Sequence, residues 1–249
     1  MKPTTLFASI ISVLLATAGE MRAAAVVSVN FTGGGFNGSP AISLLPGDFA
    51  GVVSANNYNN LPSALTGSPV ALTDSGGGAT GITLSITGSG LSYSSISGAG
   101  ISPQGGDEKL NTGFLAGNNT LTLTGIPYAF YDIYIYVLND NQTRVQTTTV
   151  NGVSIYHDSP NAASNVDQNI STAYNYIRAT STVSASPSVD TNYVQFAGLS
   201  GGTKTITIAA TGNGFVNGFQ IVQVPEPGSG LLLCGVVLGA IGSGRRRRN

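Results

Sequence analysis

Gly81-Ile82-Thr83-Leu84-Ser85-Ile86-Thr87 places Ile82, Leu84 and Ile86 on one side of the chain and Thr83, Ser85 and Thr87 on the other. Successive side chains of an extended strand point to opposite faces, so this period-two alternation reads as a strand with one face buried and one wet. The pattern recurs through the chain. Val27, Val29 and Phe31 share a face, as do Leu121 and Leu123, then Ile133, Ile135 and Val137, then Ile206 and Ile208, and finally Phe219 and Ile221 with Gln223. Punctuating glycines separate the runs at Gly76-Gly77-Gly78, Gly105-Gly106, Asn151-Gly152, Gly201-Gly202 and Gly212-Asn213-Gly214. Asn151-Gly152, between Thr147–Val150 and Val153–Tyr156, predicts a two-residue hairpin turn. The expected fold class is all-β, an antiparallel β-sandwich, with the jelly roll as the preferred topology. Residues 56–65 and 159–172 lack the alternation and read as surface loops near any binding site.

Both ends of the 249-residue chain depart from this pattern. Lys2, the apolar run Leu6–Ala18 and then Ala23-Ala24-Ala25 read as a secretory signal peptide over residues 1–25, a substrate for signal peptidase with cleavage after Ala25. An uncleaved N-terminal anchor is the alternative. At the other end Pro225-Glu226-Pro227 precedes the apolar run Leu231–Ile241 and four arginines, Arg245, Arg246, Arg247 and Arg248. Residues 228–244 make a short C-terminal transmembrane helix of roughly 26 Å, at about 1.5 Å per residue, close to a hydrocarbon core of about 30 Å. The prolines keep it from extending backwards, and the arginines stay on the cytoplasmic side. A buried C-terminal helix with a solvated basic tip is the bland alternative.

Between the ends lies one domain, residues 26–223, with nine acids and four bases and hence a net charge of −5, which the near-neutral whole chain conceals. No basic stripe exists to neutralise phosphates, so a nucleic-acid partner is not expected. The single cysteine, Cys234, falls in the apolar tail, leaving the body without a disulfide in an oxidising compartment. Gly33-Gly34-Gly35 follows a strand, but no helix opens behind it, which argues against a phosphate-binding loop.

The tail resembles the PEP-CTERM sorting signal of exported Gram-negative proteins. By that resemblance Pro225, Glu226 and Pro227 are the recognition motif beside which an exosortase cuts, Leu231–Ile241 the membrane segment and Arg245–Arg248 its stop. The resemblance implies transient inner-membrane anchoring by the C-terminus, followed by release to the cell surface or the extracellular, exopolysaccharide-associated matrix. The body, through "SVNFTGGG" (28–35), "NNYNNL" (56–61), "LTDSGGGATGITLSI" (72–86), "DEKLNTGFLAG" (107–117), "LTLTGIPYAFYDIYIYVLNDN" (121–141) and "GFVNGFQIV" (214–222), resembles the recurrent domain of PEP-CTERM proteins from the Verrucomicrobia–Planctomycetes group. That domain is similar to galactose-binding-like or malectin-like jelly rolls, and Tyr58 stands where such proteins often carry Trp.

Catalysis is not expected. His157 is the only histidine and reads as a turn or loop residue, with Asp158 on the opposite face of any strand. Glu108, the only glutamate of the body, sits in the charged turn Asp107-Glu108-Lys109. A ligand site has more support. Tyr134 and Tyr136 occupy the face opposite Ile133 and Ile135, and Tyr174, Tyr176 and Tyr193 extend an aromatic surface of the kind that stacks on sugars. The competing reading puts these rings in a second packed layer. Asp140, within Asn139-Asp140-Asn141, and Asp74 offer hard oxygen ligands for Ca²⁺, although turn chemistry accounts for such residues equally well. No other cofactor is expected. The body is thus a structural or interaction protein, with a carbohydrate-binding module as the alternative.

Overall fold

A computed structural model describes residues 24–33, 41–62, 68–88, 91–94, 105–138, 145–158, 176–210 and 214–225. The period-two runs become strands in it: β1 (Val26–Phe31), β2 (Asn59–Leu61), β3 (Val70–Thr73), β4 (Ala79–Gly88), β5 (Leu91–Ser94), β6 (Gly113–Ala116), β7 (Asn119–Thr124), β8 (Tyr131–Tyr136), β9 (Val145–Val150), β10 (Val153–Asp158), β11 (Arg178–Ala179), β12 (Tyr193–Leu199), β13 (Lys204–Ala210), β14 (Phe215–Val216) and β15 (Gly218–Gln223). One helix is described, α1 (Gly106–Thr112).

Two six-stranded sheets pack face to face. Sheet I runs β11-β12-β8-β15-β1-β2 and sheet II runs β10-β9-β13-β7-β4-β3, while β14-β6-β5 form a small third sheet. Val27, Val29, Phe31, Ile133, Ile135, Phe219 and Ile221 of sheet I meet Ile82, Leu84, Leu121, Leu123, Ile206 and Ile208 of sheet II in one apolar cluster. These are the residues that the alternation selects, each worth about 1.5–3 kcal/mol when fully buried. The opposite face of sheet II carries hydroxyls that pair across strands, Thr83 Oγ1 with Thr124 Oγ1 at 2.7 Å and Thr149 Oγ1 with Ser154 Oγ at 2.8 Å. β9 and β10 join through Asn151 and Gly152, both at positive φ (52° and 76°), as a two-residue hairpin with matched twist requires.

Three expectations need correcting. The sheets are not wholly antiparallel: β2 pairs parallel with β1, and β11 parallel with β12. The stretch 107–109, read as a charged turn, opens α1, where the Glu108 carboxylate accepts the Gly105 N–H at 3.1 Å. Local composition missed it because a seven-residue helix between glycines carries too few turns to show a period. His157 is no loop residue. It lies on β10, fully buried among Gln146 and Thr148, with Nε2 hydrogen-bonded to Thr148 Oγ1 at 2.9 Å. Burial lowers its pKa from 6.5 to about 3. No described helix is long and apolar enough to cross a membrane; the segment 228–244 lies outside the described residues.

β1 and β15, the first and last strands, are neighbours in the interior of sheet I, pairing from Val26↔Val222 to Asn30↔Gly218. A Cβ on Gly218 would stand 2.2 Å from Val29 O and 2.9 Å from Leu110 Cδ1. Gly218→Ala is therefore expected to lower unfolding stability by about 2 kcal/mol or more in urea titrations; an unchanged midpoint would show that the strands part at no cost. His157 gives a second expectation. The unfolded imidazole takes its proton near pH 6.5 and the folded one only near pH 3. Its stabilisation is thus complete above the upper value and falls as pH drops, by up to roughly 1.4 kcal/mol per pH unit. His157→Gln, which stays neutral, should flatten that slope; equal slopes in wild type and variant would refute the assignment.

Candidate functional site

Tyr134 and Tyr136 of β8 point away from the sandwich core, as their alternation with Ile133 and Ile135 requires, whereas Tyr131 lies in that core; the two outward rings do not form one open surface. A layer made of residues 44–58 and α1 covers part of the outer face of sheet I. Beneath it Leu44, Ala50, Tyr58, Leu110 and Tyr136 form a second apolar cluster. Tyr136 is 0% exposed and Tyr58 6%, so neither presents a ring to a ligand. The expectation that Tyr136 contributes to a binding face is corrected on this point: the irregular 44–58 segment, which has no strand period, folds back over it.

Buried hydroxyls in that layer are paired, as the cost of desolvating them demands. Tyr136 Oη donates to Gln220 Oε1 at 2.5 Å and accepts the Val52 N–H at 2.8 Å. Gln220 Nε2 donates onward to Ser28 Oγ at 3.1 Å and to Val53 O at 2.8 Å. Tyr58 Oη donates to Ala50 O at 2.9 Å. On α1, Asp107 Oδ1 accepts both the Gly51 N–H, at 2.7 Å, and the Tyr176 hydroxyl. Burial, reinforced by Tyr136 and the Asp107 carboxylate, pushes the Tyr176 phenol far up, and burial does the same to Tyr136 and Tyr58. All three are neutral donors at any physiological pH. Lys109 Nζ reaches Asp48 Oδ2 at 2.6 Å and clips the 44–58 segment to α1 near its surface.

Where the cover ends, the rings emerge. Tyr136 and Tyr176 centroids lie 5.5 Å apart, Tyr176 meets Tyr193 edge-on at 6.1 Å, and Tyr193 lies 6.4 Å from Tyr134 with their planes tilted by only 32°. Tyr134 and Tyr193 are half-buried and mark the open end of the series. Polar groups border them. Gln195 Nε2 donates to Asp132 Oδ2 at 3.0 Å and to Tyr134 Oη at 3.1 Å, and Asp132 Oδ1 accepts the Gly198 N–H at 2.8 Å. Arg178, exposed on β11 in register with Tyr193, donates to Gln195 O at 3.4 Å. The arrangement is a ledge: two half-buried rings, a fixed amide and carboxylate, and one exposed guanidinium. Such a ledge offers flat apolar area with hydrogen-bonding groups at its rim.

Of the expected ligand residues, the structure brings Tyr134, Tyr136 and Tyr176 together with Tyr193, while Tyr174 and Asp140 lie outside the described residues. Asp132, Gln195 and Arg178 escaped the sequence reading. Period two alone puts Asp132 on the Tyr134 face, and Arg178 is one of only four bases in the body, but their convergence depends on the β12–β8 pairing. The Asp74 carboxylate accepts the N–H groups of Gly76 at 2.9 Å and Gly78 at 2.8 Å, which is turn chemistry. Among the described residues no cluster of three or more His, Cys, Asp or Glu side chains could hold a metal ion. His157 is enclosed in the core, with its Nε2 bonded to Thr148 Oγ1.

No curated protein matches the chain. Solved structures that resemble it include Bacteroides uniformis β-glucuronidase 2 covalently bound to cyclophellitol-6-carboxylate aziridine, with a TM-score of 0.41 at 11% identity over 80% of this chain. A crystal structure of Bacteroides uniformis β-glucuronidase gives 0.41 at 10% identity, and a calcium-binding mutant of β-glucuronidase 2 gives 0.39 at 10%. The chain spans 18% of the length of each of these proteins, and the glucuronidase activity belongs to them. Residues 223–248 match the PEP-CTERM protein-sorting motif, so the chain carries the sorting signal of an exported protein handled by exosortase.

Proposed function

We propose that this protein is a non-enzymatic interaction module displayed at the cell surface or in the extracellular, exopolysaccharide-associated matrix. The observation that carries the reading is the sorting motif at residues 223–248, which begins at the final residue of β15. In this reading signal peptidase removes residues 1–25, the segment 228–244 holds the chain transiently in the inner membrane, and Arg245–Arg248 stay inside. The exosortase then cuts beside Pro225-Glu226-Pro227. An acidic, disulfide-free sandwich suits that destination, since its stability depends on one large apolar core and not on redox chemistry.

A jelly-roll reading of the body is supported by strand order. β1-β15-β8-β12 faces β7-β13-β9-β10, and the chain crosses between the two large sheets at β2–β3, β7–β8, β8–β9, β10–β11 and β12–β13, and from β13 to β15 by way of β14.

The ledge favours a second reading, a carbohydrate-binding module. β8 and β15 are antiparallel, with Tyr131 opposite Gln223 and Tyr136 opposite Gly218. Tyr134 and Tyr193 therefore sit toward the end away from the sorting tail, where a tethered domain meets its surroundings.

Two outcomes test these readings. Glu226→Ala should leave the precursor uncut in the membrane fraction on an immunoblot; normal maturation would contradict the sorting role. In affinity electrophoresis against the host's own exopolysaccharide, backed by a glycan array, the wild-type body should be retarded. Tyr193→Ala should weaken binding about tenfold, the loss of one stacking contact of roughly 1–1.5 kcal/mol. Absence of retardation, with or without Ca²⁺, would remove the carbohydrate reading.

A further inference from the structure

The sorting motif has no linker in front of it. Its first matched residue, Gln223, is the last residue of β15 and lies opposite Tyr131 of β8. On the β1 side, in the chain before signal-peptide removal only, the Gln223 N–H donates to Ala25 O at 2.9 Å, and the Ala25 N–H reaches back to Gln223 Oε1 at 3.5 Å. The next residue is held as well, with the Val224 N–H donating to Phe130 O at 3.0 Å. The partner strand is anchored at the same level by the Ser75 N–H on Val26 O, at 2.8 Å. Pro225, which has no N–H to give, is the first exposed residue.

An enzyme that takes an extended peptide does so through main-chain hydrogen bonds to the residues flanking its target. Here, once residues 1–25 are gone, Gln223 still pairs with Tyr131 of β8 and the Val224 N–H is still committed to Phe130 O. They cannot be freed by unzipping the whole strand, because β15 is flanked on both sides and Phe219 and Ile221 are 0% exposed in the core. Only the terminal two residues can fray at low cost. We propose that the seated end of β15 shields the chain immediately before the sorting motif, so that the pairing of Gln223 with Tyr131 and of Val224 with Phe130 sets how fast the tail is removed. Access, not bond chemistry, is what the sheet controls. The proposal rests on the sorting reading above and adds a rate-limiting contact to it.

The full-length precursor in its exporting host supplies the test, with conversion of precursor to mature protein followed by pulse-chase. One variant carries a flexible Gly/Ser insertion of about eight residues between Val224 and Pro225. The other, Val222→Gly, loosens the end of β15 without touching residues 223–248. At least one should mature roughly fivefold faster than the native chain, the ratio expected when one or two terminal ladder hydrogen bonds are lost. Acceleration by Val222→Gly alone sustains the proposal, since the insertion also separates two matched residues from the rest of the motif. Acceleration by neither overturns it. Glu226→Ala in each background separates the two ideas: if it blocks cutting while both variants mature at the native rate, only the shielding falls. If the native chain is never cut, the sorting reading falls and the shielding with it.

Discussion

The pairing of β1 with β15 is the constraint on which the rest of the structure depends. It joins the two ends of the body in the interior of sheet I, with β8, β12 and β11 on one side and β2 on the other. Its close approach at Gly218 leaves no room for a side chain, and its inward residues Val27, Val29, Phe219 and Ile221 are all fully buried. Without that ladder sheet I is two fragments, each exposing half of an apolar face. The pairing of Val26 with Val222 joins the two extremes of the body, so the loop-closure cost of the core is met only once the whole body is available. The core therefore closes only when both ends of the body are present.

The two faces of sheet I obey opposite demands. Its inner face needs only shape and apolarity. Its outer face is divided between a covered part, where each phenol must find a partner, and an open part, where half-buried rings and polar groups remain available. The division falls within a single strand: Tyr136 on β8 is enclosed, and Tyr134, two residues earlier, is not. Gln220 makes the cover possible, because one side chain answers Ser28, Tyr136 and Val53 at once. Sheet II settles its outer face more simply, with threonines and serines that bond to each other.

Much of this was legible in the sequence because a sheet with one buried face writes its geometry directly into alternation. Ile82, Leu84 and Ile86, or Ile133 and Ile135, needed nothing beyond period two, and Asn151-Gly152 announced its hairpin through the positive φ values that such a turn demands. What was illegible has a common cause, namely dependence on contacts distant in the chain. α1 is too short to show a period, and its Glu108 cap looks like a charged turn. His157 appears polar and therefore external, yet β9 supplies Thr148 to receive it. The enclosure of Tyr136 is decided by residues 44–58, whose own sequence carries no strand signal. The ledge was half legible: the tyrosines announced themselves, whereas Asp132, Gln195 and Arg178 converge only through the register of β11, β12 and β8. The tail was the clearest reading because charge and hydropathy act there without tertiary context.

That Val26 and Val222 are paired neighbours also gives the body a modular character. A domain whose entry and exit are adjacent can be spliced into an exposed loop of an unrelated host protein without stretching either partner, since the host need only supply two chain ends a strand's width apart. The same geometry makes it suited to circular permutation, with new termini opened at the Asn151-Gly152 turn and the old ones closed by a short bridge. A fold assembled from its own extremities is in this sense a bud, attached by a narrow stalk and transferable as one piece.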